Sequence, residues 1–129
     1  MLTKRETFPA RLAGVPAWSF LCAGVLVAQI FALASVPYEL FEPWDKLFHA
    51  LAYSALTLLL WIGTDGRRPA LVVVGVMALA MFDELRQAAI PARSADLFDF
   101  LVGAIAAGAT GLVLSKNRGR TSCAESSAR

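Results

Sequence analysis

At 129 residues, 57% hydrophobic and only 17% charged, the chain is more apolar than an ordinary soluble domain, in which about a quarter of residues are charged. Its mean hydropathy of +0.59 comes with apolar residues gathered into long runs, so the class is integral membrane protein, one compact bundle without a second domain. The net charge of +2 does not point to nucleic acid, and the two cysteines (Cys22, Cys123), lacking any CxxC or Cys/His spacing, suggest neither a disulfide framework nor a zinc motif.

In chain order, residues 1–15 are a basic N-terminal segment with Lys4, Arg5 and Arg11. A first apolar run covers residues 16–36, a second 44–62, a third 69–90 and a fourth 96–115. Each is near the ~20 residues that cross ~30 Å of hydrocarbon as a helix. Pro37 and Pro43, then Gly63, Gly66 and Pro69, then Pro91 punctuate the joins. The joins are short, so neighbouring helices are expected to be antiparallel. The predicted fold is all-α: a polytopic membrane protein with four transmembrane helices in an up-down bundle. Residues 16–115 form the membrane domain, and residues 116–129, polar and rich in small residues, form a disordered cytoplasmic tail. Trp18, Tyr38, Trp44 and Trp61, near the ends of the runs, read as interface anchors.

Charge sets the expected direction. Residues 1–15, 63–69 and 116–129 carry nine positive side chains against three negative; the rest of the chain carries Lys46, Arg86 and Arg93 against seven carboxylates. Cytoplasmic loops collect Lys and Arg, so both termini are expected inside, in a multi-pass protein of the cytoplasmic membrane. A cleavable signal, with Ala32-Leu33-Ala34 as its cleavage site, is the alternative for the first run, which is long for a signal's apolar region.

The stretch Phe82–Phe100, "FDELRQAAIPARSADLFDF", breaks the apolar pattern with four carboxylates and two arginines. Asp83 lies fourteen residues beyond Pro69, about 21 Å along a helix. It shares that level with Glu84 and Gln87, with His49 near the start of the second run, with Asp96 and Asp99 at the start of the fourth, and with Gln29 in the first. Asp45, His49 and Tyr53 are spaced by four and form one stripe; Asp83 and Gln87, and Asp96 and Asp99, are also helical neighbours. Ionisable residues inside a span are costly, face the bundle interior and mark functional sites. Asp83 and Arg86 are placed less firmly, on the outer rim. On the fourth run Gly103, Ala107 and Gly111 repeat at four-residue spacing, which allows close helix approach beside Asp99.

At these residues the chain resembles the VanZ-like family of small bacterial membrane proteins. "DKLFHALAY" holds Asp45, Lys46, His49 and Tyr53; "DELRQ" holds Glu84 and Gln87; "PARSADLFD" holds Arg93 with Asp96 and Asp99. The likeness spans residues 44–111. It departs at Ala92, where the family turn has glycine, and at Gly103, where an Asn or Asp is expected one turn after Asp99; an alternative register sets Asp96 in the place of Asp99. The resemblance implies a role in the cell envelope and, since the family is named for a protein linked to teicoplanin resistance, raises a lipoglycopeptide as one ligand. It does not imply antibiotic resistance for this member.

The candidate ligand-binding residues are therefore Asp45, Lys46, His49, Tyr53, Glu84, Gln87, Arg93, Asp96 and Asp99. Three functions remain open. The first is a binding or envelope-modulating protein that takes an anionic lipid or lipid-linked headgroup, with Arg93 and Lys46 on the anion and Glu84 and Gln87 as hydrogen-bond partners. The second is an intramembrane enzyme with His49 and Glu84 as catalytic acid and base on a lipid-linked substrate. The third is a structural polar network, in a bundle that could assemble as a homo-oligomer. No hydrolase or metalloprotease signature appears. No cofactor is expected and no metal centre, since a lone histidine with Asp83, Glu84 and Asp99 matches no ligand motif.

Overall fold

The computed structural model describes residues 11–12, 15–35, 44–90 and 96–127, which form four helices and one small strand pair. Strands β1 (Arg11–Leu12) and β2 (Val15–Pro16) pair antiparallel, with Arg11 opposite Pro16 and Leu12 opposite Val15. This ladder, absent from the sequence expectation, is too short to change the all-helical class. Helices α1 (Ala17–Ala34), α2 (Asp45–Gly63), α3 (Pro69–Ala88) and α4 (Leu97–Ser127) follow.

Local chemistry explains their ends. Asp45 puts a carboxylate in the first turn of α2, against the positive end of the helix dipole. Pro69 starts α3, where its missing N–H costs nothing. At the end of α2 the Thr64 N–H reaches the Leu60 carbonyl and the Gly66 N–H the Trp61 carbonyl, both at 2.9 Å. Asp65 (φ 50°) and Gly66 (φ 62°) take the left-handed conformation this reversal requires. Gly66 is doubly constrained, because a Cβ there would stand 2.8 Å from the Trp61 ring. At the start of α4, the Asp96 carboxylate accepts the Phe98 N–H at 2.9 Å and so caps the helix.

The helices alternate in direction. The start of α1 meets the end of α2, where Ser19 and Phe20 leave no room for a side chain at Gly63. Lys46 and Asp99 join the starts of α2 and α4, and Arg118 donates to the Asp65 carbonyl, joining their other ends. α2 sits centrally, against α1, α3 and α4, while α4 also packs on α3. The apolar core is slender: Ala23, Tyr53, Leu56, Val76, Ala80 and Ala107. Small residues dominate it, and large ones such as Leu21 (72% exposed), Phe98 and Ile105 point outward. That inversion suits a hydrocarbon solvent, where packing of small residues joins helices and the bulky apolar groups face lipid.

Ala17–Ala34, Asp45–Gly63 and Leu97–Gly119 are each long and apolar enough to cross a membrane, the make-up of a multi-pass membrane protein. α3 is not among them, against the expectation of four equal spans. The reason lies in its last two turns, where Asp83, Glu84 and Arg86 interrupt an otherwise apolar helix. A second difference concerns residues 116–129, expected as a disordered tail: α4 continues to Ser127. No proline follows Pro91, and extending an existing helix needs no new nucleus.

Candidate functional site

α3 buries one stripe: Val72, Val76, Ala80, then Asp83, Glu84 and Gln87. The stripe changes from apolar to polar without leaving the interior. Asp83, only 1% exposed, is the hub of the polar part. Its Oδ2 accepts Gln87 Nε2 at 3.0 Å and, at 3.4 Å, the Tyr53 hydroxyl of α2. Its Oδ1 accepts Arg86 Nη2 at 3.1 Å. The same guanidinium crosses to α1, where Nη2 donates to the Phe31 carbonyl at 3.0 Å and Nη1 to Ser35 Oγ at 2.8 Å. Its carbon lies 5.0 Å from the Phe31 ring centre. Arg86 thereby satisfies a carbonyl in the last turn of α1, where a cation also complements the helix dipole.

A second group joins α2 to α4. Lys46 Nζ donates to Asp96 Oδ2 and Asp99 Oδ1, each at 2.9 Å. The Lys46 side chain is 51% exposed and that of Asp96 40%, whereas Asp99 is buried. The Lys46 ammonium, followed by the Phe98 N–H, holds the Asp96 carboxyl below its ordinary range. Beside this bridge, His49 Nδ1 stands 3.0 Å from the Asp45 carbonyl and 3.6 Å from its carboxylate. The His49 ring lies 6.0 Å from the Tyr53 ring, which connects the two groups. Glu84 connects them again, since its Oε1 accepts the Asp96 backbone N–H.

The structure thus gathers Asp45, Lys46, His49, Tyr53, Glu84, Gln87, Asp96 and Asp99 at one end of the bundle; Arg93 lies outside the described residues. Several expectations change. Asp83, for which the outer rim was the alternative, is the buried centre, and Arg86, about a quarter exposed, links it to α1, a role signalled by the three- and four-residue spacings of Asp83 to Arg86 and Gln87. Gln29 does not join the cluster, because its position on α1 faces outward. Glu84 takes the Asp96 backbone N–H, while Lys46 is held by two aspartates and Arg86 turns toward α1. His49 and Glu84, the candidate acid and base, each hold a backbone group, the Asp45 carbonyl and the Asp96 N–H respectively. Lys46 engages both Asp96 and Asp99, so geometry does not choose between the two registers. At Gly103 the room left by the missing side chain is taken by Tyr53, whose ring would lie 2.7 Å from a Cβ there.

Such a cluster can bind polar groups at its exposed edge and can relay protons through its carboxylates, hydroxyl and imidazole. Among the described residues it holds five carboxylates (Asp45, Asp83, Glu84, Asp96, Asp99) and two strong bases, Lys46 and Arg86. Compared with models of known families, with curated proteins and with solved structures, the chain finds no match.

Proposed function

We propose that this is a VanZ-like integral membrane protein of the cell envelope, in which α3 crosses together with the three more apolar helices, both termini are cytoplasmic and the polar cluster opens toward the outer leaflet. In this reading the cluster binds or modulates an anionic lipid or lipid-linked headgroup. The observation that carries it is the Lys46–Asp96–Asp99 bridge, half-exposed at Lys46 and Asp96, at the edge of a network whose Tyr53, Asp83, Glu84, Gln87 and Asp99 are buried. A purely internal bundle lock would gain by closing that edge, because exposed ion pairs contribute little stability. Lys46 presents its ammonium there to an incoming anion. Arg93, three residues before Asp96 in sequence, supplies a second cation, and Gln87 and Glu84 supply hydrogen bonds. The orientation rests on the excess of Lys and Arg in residues 1–15, 63–69 and 116–129.

The test is a mass-spectrometric lipid profile of membranes from one host carrying wild type, Glu84→Gln or an empty vector at matched expression. For the binding reading, total profiles are the same and a defined polar lipid copurifies with wild type; Arg93→Lys, which keeps charge and loses the fork, reduces that copurification. A lipid species made or depleted by wild type and not by Glu84→Gln would replace binding with catalysis. Unchanged profiles with no copurifying lipid would leave the cluster a structural network.

A further inference from the structure

We propose that Asp45, His49 and Asp99 form a binding site for a first-row divalent cation, with Zn2+ or Mn2+ as the fitting ions. One ring nitrogen of His49 and one carboxylate oxygen from each aspartate lie within 4.8 Å of one another, so an inward shift of roughly half an ångström per side chain brings all three to the ~2.0–2.2 Å at which zinc takes nitrogen and oxygen. The three residues come from two helices, α2 and α4, whose starts the Lys46 bridge already holds together. The two helix starts that carry the ligands are therefore already held side by side without an ion.

The chemistry of each ligand fits. The Asp45 carbonyl, 3.0 Å from His49 Nδ1, can only accept, so the neutral imidazole carries its proton on Nδ1 and offers the Nε2 lone pair. Anchoring one ring nitrogen on a backbone carbonyl is the usual way a ligating imidazole is oriented. Asp99 gives Oδ1 to Lys46, and a carboxylate that holds a cation with one oxygen can ligate an ion with the other. A nitrogen and two oxygens suit zinc or manganese better than magnesium or calcium, which favour all-oxygen shells. Charge points the same way: among the described residues five carboxylates share two strong bases at this end of the bundle, and a dication reduces that surplus. Three protein ligands also leave coordination positions for water or for a phosphate or hydroxyl of a ligand. The site rests on its own geometry and stands whether or not the headgroup reading does.

Binding is measured on the full chain purified in detergent, with a tag free of histidine and with Cys22→Ser and Cys123→Ser to remove thiol ligands. Zn2+ or Mn2+ is titrated calorimetrically, and metal content is measured after dialysis. One equivalent of ion per chain is expected, with a rise in melting temperature. That equivalent is lost in His49→Gln and Asp99→Asn and is retained in Asp65→Asn, at the opposite end of the bundle. No stoichiometric ion in the wild type, or one that survives both His49→Gln and Asp99→Asn, overturns the proposal. Asp45→Asn, at a partly exposed first-turn position, carries the test if either of those variants fails to fold: it should weaken binding and abolish the melting shift, and unchanged affinity overturns the site.

Discussion

Asp83 shows how much rests on a single carboxylate. It is the common acceptor for Arg86, Gln87 and Tyr53, and removing it strands the buried donors of Gln87 and Tyr53 and takes one partner from Arg86. Breaking a fully buried ion pair costs about 3–5 kcal/mol. Arg86 is a quarter exposed and keeps its bonds to Phe31 and Ser35, so Asp83→Ala should destabilise by about 2–3 kcal/mol, read from unfolding in detergent. Tyr53→Phe loses only a long hydrogen bond and should cost under ~1 kcal/mol. Equal losses in the two variants would remove Asp83 from its central place. Gly103 is the complementary case, a position defined by what it lacks. Gly103→Ala drives a methyl into the Tyr53 ring, an overpacking expected to cost about 1–3 kcal/mol. A second change, Tyr53→Leu, should recover part of that loss when the double variant is melted beside the single ones.

At the scale of the helices, the starts of α2 and α4 are held by the Lys46 bridge and the ends of α1 and α3 by Arg86. The Lys46 bridge has a definite pH sign. The Asp96 carboxyl is held below its ordinary value of 3.8 by Lys46 and the Phe98 N–H. Its contribution is therefore complete above that value and is lost as pH falls through the depressed one. Melting temperature measured from pH 6 down to pH 3 should show a decline at the acid end. Lys46→Met, which removes the largest cause of the depression, should shrink the Asp96 part of that decline; an identical acid limb in the variant would mean that other carboxylates control it. The apolar part of the α3 stripe was not legible, because Val72, Val76 and Ala80 lie in an unbroken apolar run over residues 70–82. Its polar end was readable in part, through the spacing of Asp83 and Gln87, but Arg86 could serve an inward Asp83 or an outer rim, and only the position of the Phe31 carbonyl and Ser35 decides between them.

For the whole molecule, the proposed direction in the membrane makes a topological prediction. A single cysteine placed at position 65 in a cysteine-free background should resist a membrane-impermeant thiol reagent in intact cells, and one placed at position 93 should react. The reverse pattern would turn the polar cluster toward the cytoplasm and end the outer-leaflet reading. The up-down bundle follows from four hydrophobic runs with short joins, and the alternating helix directions agree with it.

Composition and the order of apolar runs by themselves determined that this chain is a helical, multi-pass membrane protein, because hydrocarbon demands satisfied backbone bonds and long apolar segments. Periodicity determined which polar residues share a helix face: Asp45 with His49 and Tyr53, Asp83 with Gln87. Only the tertiary structure decided the partners across helices. Lys46 could have met any of several carboxylates within reach of its flexible stem, and Glu84 could have met any base. The choice depends on how α4 seats against α2 and α3, which the small residues Gly103, Ala107 and Gly111 permit but whose depth and rotation no local pattern encodes. Gln29 makes the same point in reverse: its depth matched the cluster, but the rotation of α1 turns it outward.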